Sequence, residues 1–209
     1  MDNNFIRYPL TRRTLLGHAA MAGLAIATPP AWAKAMIDLP LPGGPAARQI
    51  TRGFPQKRSM ILQRSCPPLL ETSFDVFDKG VFTPNDQFYV RWHWATIPTE
   101  VDVDKFRLAV RGHVNNVLSL SLKDIQSLPQ VELAAVNQCS GNSRGFFEPR
   151  VAGGQWANGA VGNARWTGFR LRDVLDRAGV KAGAVQVRFN GMDEPVVSDA
   201  PDFMKSLVV

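Results

Sequence analysis

The sequence predicts an α+β domain, on three observations. Segments of strand composition and short helical segments follow one another without a regular βαβ rhythm, which argues against a doubly wound parallel sheet. Hydrophobic residues make up 45% of the 209, enough for a packed core and too many for general disorder. Fifteen prolines and 17 glycines require frequent turns and a loop-rich chain.

Residues 1–33 read as an address rather than as part of the fold. Thr11-Arg12-Arg13-Thr14-Leu15-Leu16 is a twin-arginine pattern, followed by a mildly apolar run from Leu15 to Ala27. Pro29-Pro30 and the small-x-small stretch Ala31-Trp32-Ala33 then resemble a cleavage signal. The run is too short and too rich in Ala and Gly for a stable membrane span. A plain secretory signal or an uncleaved anchor is the alternative; the paired arginines favour the twin-arginine route, which exports proteins already folded, often with a cofactor inserted. The expectation is a periplasmic protein. Net charge is +6; the leader carries +2 of it, and the remaining +4 suits anionic substrates or an acidic partner. Lys and Arg are scattered without a basic stripe, so nucleic acid is not an expected partner.

Residues 34–80 are rich in proline and poor in periodic apolar positions, and read as an irregular N-terminal arm ahead of the main domain, 81–209. Phe82-Thr83-Pro84-Asn85-Asp86 is a turn or loop entry. Phe88 to Trp94 has strand composition, with Phe88, Val90, Trp92 and Trp94 on one face and Tyr89, Arg91 and His93 on the other. Phe106 to Gly112 and Leu118 to Leu122 continue the β pattern, and Leu122 to Leu128 is a short helix stopped by Pro129. Val131 to Val136 reads as a buried strand that delivers Asn137-Gln138-Cys139 at its end. Gly153-Gly154 and Gly159 to Gly162 mark a second glycine-rich loop. Phe169 to Ala178 is a helix with Gly179 as its stop, and Val185 to Phe189 is a strand ending at Asn190-Gly191-Met192-Asp193.

Asn137-Gln138-Cys139-Ser140-Gly141-Asn142-Ser143-Arg144-Gly145 carries the strongest chemical signal. One cysteine lies in a polar, glycine-punctuated loop with a cation five residues on. A thiolate is a soft ligand for a transition metal; an inert cysteine would sit among Val, Leu or Ala. Cys66, before Pro67-Pro68, is assigned no role, and no CxxC pair offers a zinc ribbon or a covalent haem site. His18, His93 and His113 match no zinc spacing. Arg91, Arg144 and a neutral His93 around Cys139 would hold a small oxyanion, since the guanidinium fork fits oxyanions and cannot lose its proton. Trp156 after Gly153-Gly154-Gln155 could line that pocket with its indole N–H, whereas Trp166 reads as core. Asp193, after Gly191, is read from sequence alone as a turn residue.

Phe88-Tyr89-Val90-Arg91-Trp92-His93, the Asn137 to Arg144 stretch, Gly153-Gly154-Gln155-Trp156 and Gly162-Asn163-Ala164-Arg165-Trp166 resemble, in this order, the sulfite oxidase family of molybdopterin enzymes, and within it the bacterial periplasmic sulfite dehydrogenases. The resemblance runs from about Phe82 to Asp193; residues from Glu194 to Val209 carry no recognised motif. It implies a sulfite-oxidase-type molybdopterin-binding domain of mixed sheets and short helices. It implies molybdenum held by one pterin dithiolene, oxo groups and the thiolate of Cys139. Arg91, His93, Arg144 and Trp156 would serve catalysis, and Tyr89, Val90, Arg91, His93 and Asp193 would contact the cofactor.

The implied activity is oxidation of sulfite to sulfate by oxygen-atom transfer. The chain has no haem motif, so electrons would pass to a separate carrier, a c-type cytochrome. Family members continue into an immunoglobulin-like dimerisation domain, so the sequence is read as a C-terminally truncated form with that domain absent. A related molybdoenzyme acting on a sulfane or a sulfoxide, or an inactive remnant of the domain, are the alternatives.

Overall fold

The computed structural model describes residues 35–98 and 100–209; the twin-arginine pattern and the cleavage signal lie outside them. Five antiparallel strands open the described chain. They are β1 (Met36–Asp38), β2 (Ala47–Thr51), β3 (Met60–Arg64), β4 (Leu69–Glu71) and β5 (Val90–Arg91), paired in that order. The segment expected to be an irregular arm is therefore a sheet, and it carries much of the core: Met60, Ile61, Leu69 and Leu70 are all buried. The strands have two to five residues each, too short for a visible period. Their prolines (Pro40, Pro42, Pro45, Pro55, Pro67 and Pro68) all fall between strands, where a missing N–H breaks no ladder. The proline-rich composition was marking turns, not the absence of pairing.

β6 (Leu108–Val110) and β7 (Leu118–Leu120) form a hairpin that leads into helix α1 (Leu122–Gln126). Ser121 caps the helix through a reciprocal pair: its hydroxyl accepts the Asp124 N–H at 3.1 Å and its own N–H donates to the Asp124 carboxylate at 2.9 Å. β8 (Gln130–Gln138) pairs antiparallel with β9 (Val161–Phe169) over nine consecutive positions. β8 was expected to be buried, and it is not. Leu133 is 62% exposed, and its register partner Trp166, expected in the core, is 45% exposed. The apolar run correctly marked a strand, but an apolar run reports composition, not coverage, and among the described residues β8 pairs only with β9. The Trp166 indole N–H is still satisfied, donating to the Ala135 carbonyl at 2.9 Å.

Helix α2 (Leu171–Ala178) turns Val174 and Ala178 inward and ends where Gly179 takes a left-handed conformation, φ +67°. β10 (Gln186–Asn190) then pairs antiparallel with β11 (Met204–Val208). β11 lies beyond Asp193, in the stretch where no motif was recognised. Two small apolar clusters join the N-terminal sheet to the later loops. Leu39, Leu41 and Ile61 pack with Ala157, and Leu69 packs with Trp156 and Ala160. The second cluster also supports Tyr89 and Cys139, so the core lies directly beneath the cysteine loop.

Candidate molybdenum centre

β8 delivers Cys139 one residue past its last paired position, Gln138 opposite Val161. The antiparallel ladder fixes the entry point, and the Cys139 N–H extends it by donating to the Ala160 carbonyl at 2.9 Å. The loop then turns tightly. Asn142 N–H donates to Cys139 O at 2.9 Å and Arg144 N–H to Gly141 O at 3.1 Å. The Gly141 N–H points at the Cys139 sulfur, 3.4 Å away. Ser143 reverses the chain in a left-handed conformation, φ 67°. Cys139 is half-buried and unpaired with Cys66.

Cys139 opens onto a cleft of about 710 Å³ whose wall includes Tyr89, Arg91, His93, Asp193 and Lys205. Of the predicted site residues, the fold thus gathers Tyr89, Arg91, His93, Cys139 and Asp193 around one cavity. The expected long strand from Phe88 to Trp94 is regular only at Val90–Arg91. Beyond Arg91 the chain leaves the sheet, so Trp92 faces the cleft together with His93 instead of alternating away from it. Val90 is spent on the sheet, paired with Leu70. Asp193 folds back over Gly191, where a Cβ would lie 2.7 Å from its Oδ1.

Two further predicted residues, besides Val90, stand elsewhere. Arg144 is not on the cleft wall; its guanidinium packs across the glycines of its own loops, so close that a Cβ on Gly141 would lie 2.9 Å from Nη2. Trp156 is 2% exposed and belongs to the cluster under Cys139. Its glycine-rich flank suggested a pocket indole, but the glycines serve close chain approach instead: a Cβ on Gly154 would sit 3.0 Å from the indole nitrogen. Sequence reasoning missed Phe203 and Lys205, brought to the cleft by the β10–β11 pairing. The only available signal was a weak one, an aromatic and a cation two residues apart in a strand-like run.

The cleft is cationic. The Arg91 guanidinium carbon lies 5.8 Å and the Lys205 ammonium 5.0 Å from the centre of the Phe203 ring. Loss of solvation and then Arg91, Lys205 and Arg64 hold the His93 imidazole below its ordinary value, with Asp193 opposing them, so the ring is disposed to be neutral. Burial, and then negative charge at Cys139, push the Tyr89 phenol up; its hydroxyl donates to the Asn137 side-chain carbonyl.

This donor set answers whether a molybdenum cofactor fits. Among the described residues no three His, Cys, Asp or Glu side chains gather as a metal cage. A metal held here by protein alone would be under-ligated. One soft thiolate beside a roomy cationic cleft instead suits a metal that arrives with its own anionic ligands.

The comparisons agree with that chemistry. A family model described as the oxidoreductase molybdopterin binding domain matches residues 94–209. That match includes Cys139 and continues through β11, past the point where recognisable motifs ended. The sulfite oxidase of Gallus gallus is 35% identical over 159 residues, covering 73% of this chain and 34% of that protein. The mitochondrial sulfite oxidase of Homo sapiens is 37% identical over 124 residues, covering 57% and 22%. The chain thus spans between about a fifth and a third of the length of these relatives. The sulfane dehydrogenase SoxCD of Paracoccus pantotrophus shares the fold at a TM-score of 0.55 and 21% identity, over 77% of this chain and 38% of that one. A cleft with one soft thiolate, a family model that includes that cysteine and relatives at this level of identity agree, and the chain belongs to the sulfite oxidase family of molybdopterin-binding oxidoreductases.

Proposed function

We propose that this chain carries the thiolate-bearing part of a molybdenum centre that oxidises sulfite to sulfate. The observation that carries the reading is the opening of Cys139 onto a cleft lined by Arg91, Lys205 and a neutral His93. When bound, the cofactor supplies two-electron oxygen-atom transfer, for which water provides the oxygen and two protons are released. Cys139 is the side chain that would hold the metal. Tyr89, His93 and Asp193 line the space a pterin would fill. Arg91 and Lys205 attract and orient the oxyanion, and their charge stabilises the product while it is held. His93, kept neutral, can donate one hydrogen bond to an oxyanion and accept one from water.

The export route and the electron acceptor belong to the same proposal. The Arg12-Arg13 pattern supports twin-arginine export to the periplasm. The two electrons released must leave through an acceptor, for which a c-type cytochrome is the candidate. The test is made on protein produced in a host that synthesises the cofactor. Molybdenum should co-purify at close to one atom per chain, and sulfite should drive reduction of added cytochrome c. Cys139→Ser should abolish the sulfite-driven reduction. Retained turnover in the Cys139→Ser variant would overturn the reading.

A further inference from the structure

Glu71, the last residue of β4, is 1% exposed and is the one charged side chain among the described buried residues. It does not line the cleft, and no step above uses it. A carboxylate is retained in a core only where donors replace its water, and here they come mostly from a single loop. One carboxylate oxygen accepts the Gly159 N–H at 2.8 Å. The other accepts the Gln63 side-chain amide at 2.5 Å and the Ala157 N–H at 3.3 Å. Gln63 is steadied in turn by Arg48, whose Nε donates to it at 3.0 Å. The loop is pressed against β4 tightly enough that a Cβ on Gly159 would collide with the Thr72 carbonyl.

The far side of the same loop grips the cysteine turn. Trp156 O accepts the Gly145 N–H at 2.9 Å, and Ala157 O accepts the Ser143 N–H at 2.7 Å. Ala160 O accepts the Cys139 N–H at 2.9 Å, while the Ala160 N–H donates to the Asn142 side chain at 2.9 Å. Residues 156–160 are thus a clasp with Glu71 on one side and the Cys139 turn on the other.

We infer that Glu71 is a positioning residue for Cys139, acting through the clasp at 156–160 to set where the thiol sits at the rim of the cleft. Its relevance to catalysis rests on the reading of Cys139 as the metal thiolate; the positioning itself does not. Burial pushes the Glu71 carboxyl up, and the Gly159, Gln63 and Ala157 donors oppose that shift, as expected of a group whose donors are supplied by the loop it holds.

The test uses the full chain in a Cys66→Ser background, prepared without cofactor, so that thiol labelling reports Cys139 alone. Glu71→Gln keeps the shape but turns one acceptor into a donor facing backbone N–H groups. Alkylation of Cys139 should then quicken about tenfold, the factor set by losing one hydrogen bond to a charged acceptor in a buried place. Amide exchange at Cys139 and Ala160 should rise by a similar factor, while amides of β6 and β7 change little. Glu71→Asp, too short to reach both backbone donors, should show the same local pattern. Glu132→Gln, a surface change on β8, should leave labelling unchanged. Unaltered labelling and exchange in Glu71→Gln, or a rise spread equally over all amides, would overturn the proposal. Turnover of cofactor-loaded Cys139→Ser, measured separately, tests the metal reading, so either inference can fail without the other.

Discussion

The Phe203 ring lies stacked on the His93 imidazole, with centroids 4.1 Å apart and planes 16° from parallel. The contact joins the residue just before β11 to the segment after β5, two stretches more than a hundred residues apart in the chain. It covers one face of a ring that Arg91 and Lys205 already discourage from charging. Phe203→Ala should therefore move the His93 titration upward, towards the ordinary histidine value, in a proton NMR titration of the imidazole. No change, or a downward move, would show that the stack does not desolvate the ring. The sign for stability follows from the same depression: the unfolded chain binds the His93 proton more readily than the folded one. His93 thus favours the folded state above the ordinary histidine value, and that contribution is lost as pH falls through its depressed folded value.

Lys205 supplies the second cation of the cleft without being held by a carboxylate ion pair among the described residues. Lys205→Met keeps the length of the chain and removes the charge. Sulfate, a stable stand-in for the product, should bind the cofactor-free protein about fivefold more weakly in the variant at low salt, in keeping with one exposed charge. The difference should shrink towards nothing near 1 M salt, where screening acts over about 3 Å. Calorimetric or NMR titration at two salt concentrations decides it; equal affinities at low salt would remove Lys205 from anion binding.

How much of this was legible in the sequence depended on where the determining contacts lie. The turn at Cys139, the helix ending at Gly179 and the grouping of Tyr89, Arg91 and His93 are local matters of glycine conformation, polarity and alternation, and each is visible as pattern. The N-terminal sheet was hidden because its strands gain stability from burying Leu69 and Ile61 beneath distant loops, which no local period reports. Phe203 and Lys205 were missed for the same reason: only the pairing of β10 with β11 places them beside His93. The backbone role of the clasp at 156–160 was visible only as Gly159, since the partners of that glycine are the distant Thr72 and Glu71.

The two tryptophans turn that lesson into a measurement. Trp156, expected at the pocket, is almost wholly buried, and Trp166, expected in the core, stands half out of β9 against Phe88. Trp156→Ala should lower unfolding free energy by about 3–5 kcal/mol, the usual range for an emptied aromatic site. Trp166→Ala should cost about 1–2 kcal/mol, for partial burial and one hydrogen bond. Denaturant titrations of both variants check the order, and a larger loss at Trp166 would reverse the placement of the two rings.

Gly159 meets the Thr72 carbonyl with no room for a side chain, so Gly159→Ala must either push the clasp off β4 or open the Glu71 hydrogen bond. An overpacked core position of this kind costs about 1–3 kcal/mol, and the loss should appear both as a lower denaturation midpoint and as faster alkylation of Cys139. Stability falling without any change at the thiol would mean that the clasp yields on its β4 side alone.

Glu71 itself should leave a pH signature. Its carboxyl sits above the ordinary glutamate value chiefly because burial disfavours the charge; three hydrogen bonds and the positive charge of Arg48 offset only part of that. Between the ordinary value and the raised one, the folded chain holds a proton there that the unfolded chain has lost. Linkage then requires folding stability to decrease as pH rises through that window. The contribution is fully present below the ordinary glutamate value and is gone above the raised one. Glu71→Gln cannot titrate, so its stability should lack this downward step. The difference in unfolding free energy between the native chain and the variant, measured by denaturant titration from about pH 4 to 8, isolates the step from the exposed carboxylates common to both proteins. Asp75 and Asp124, held below their ordinary values by hydrogen bonds at the surface, act in the opposite direction and cancel in the difference. A flat difference curve would mean that the carboxylate has the same proton affinity in the folded and unfolded chain, and that the clasp holds it without desolvating it.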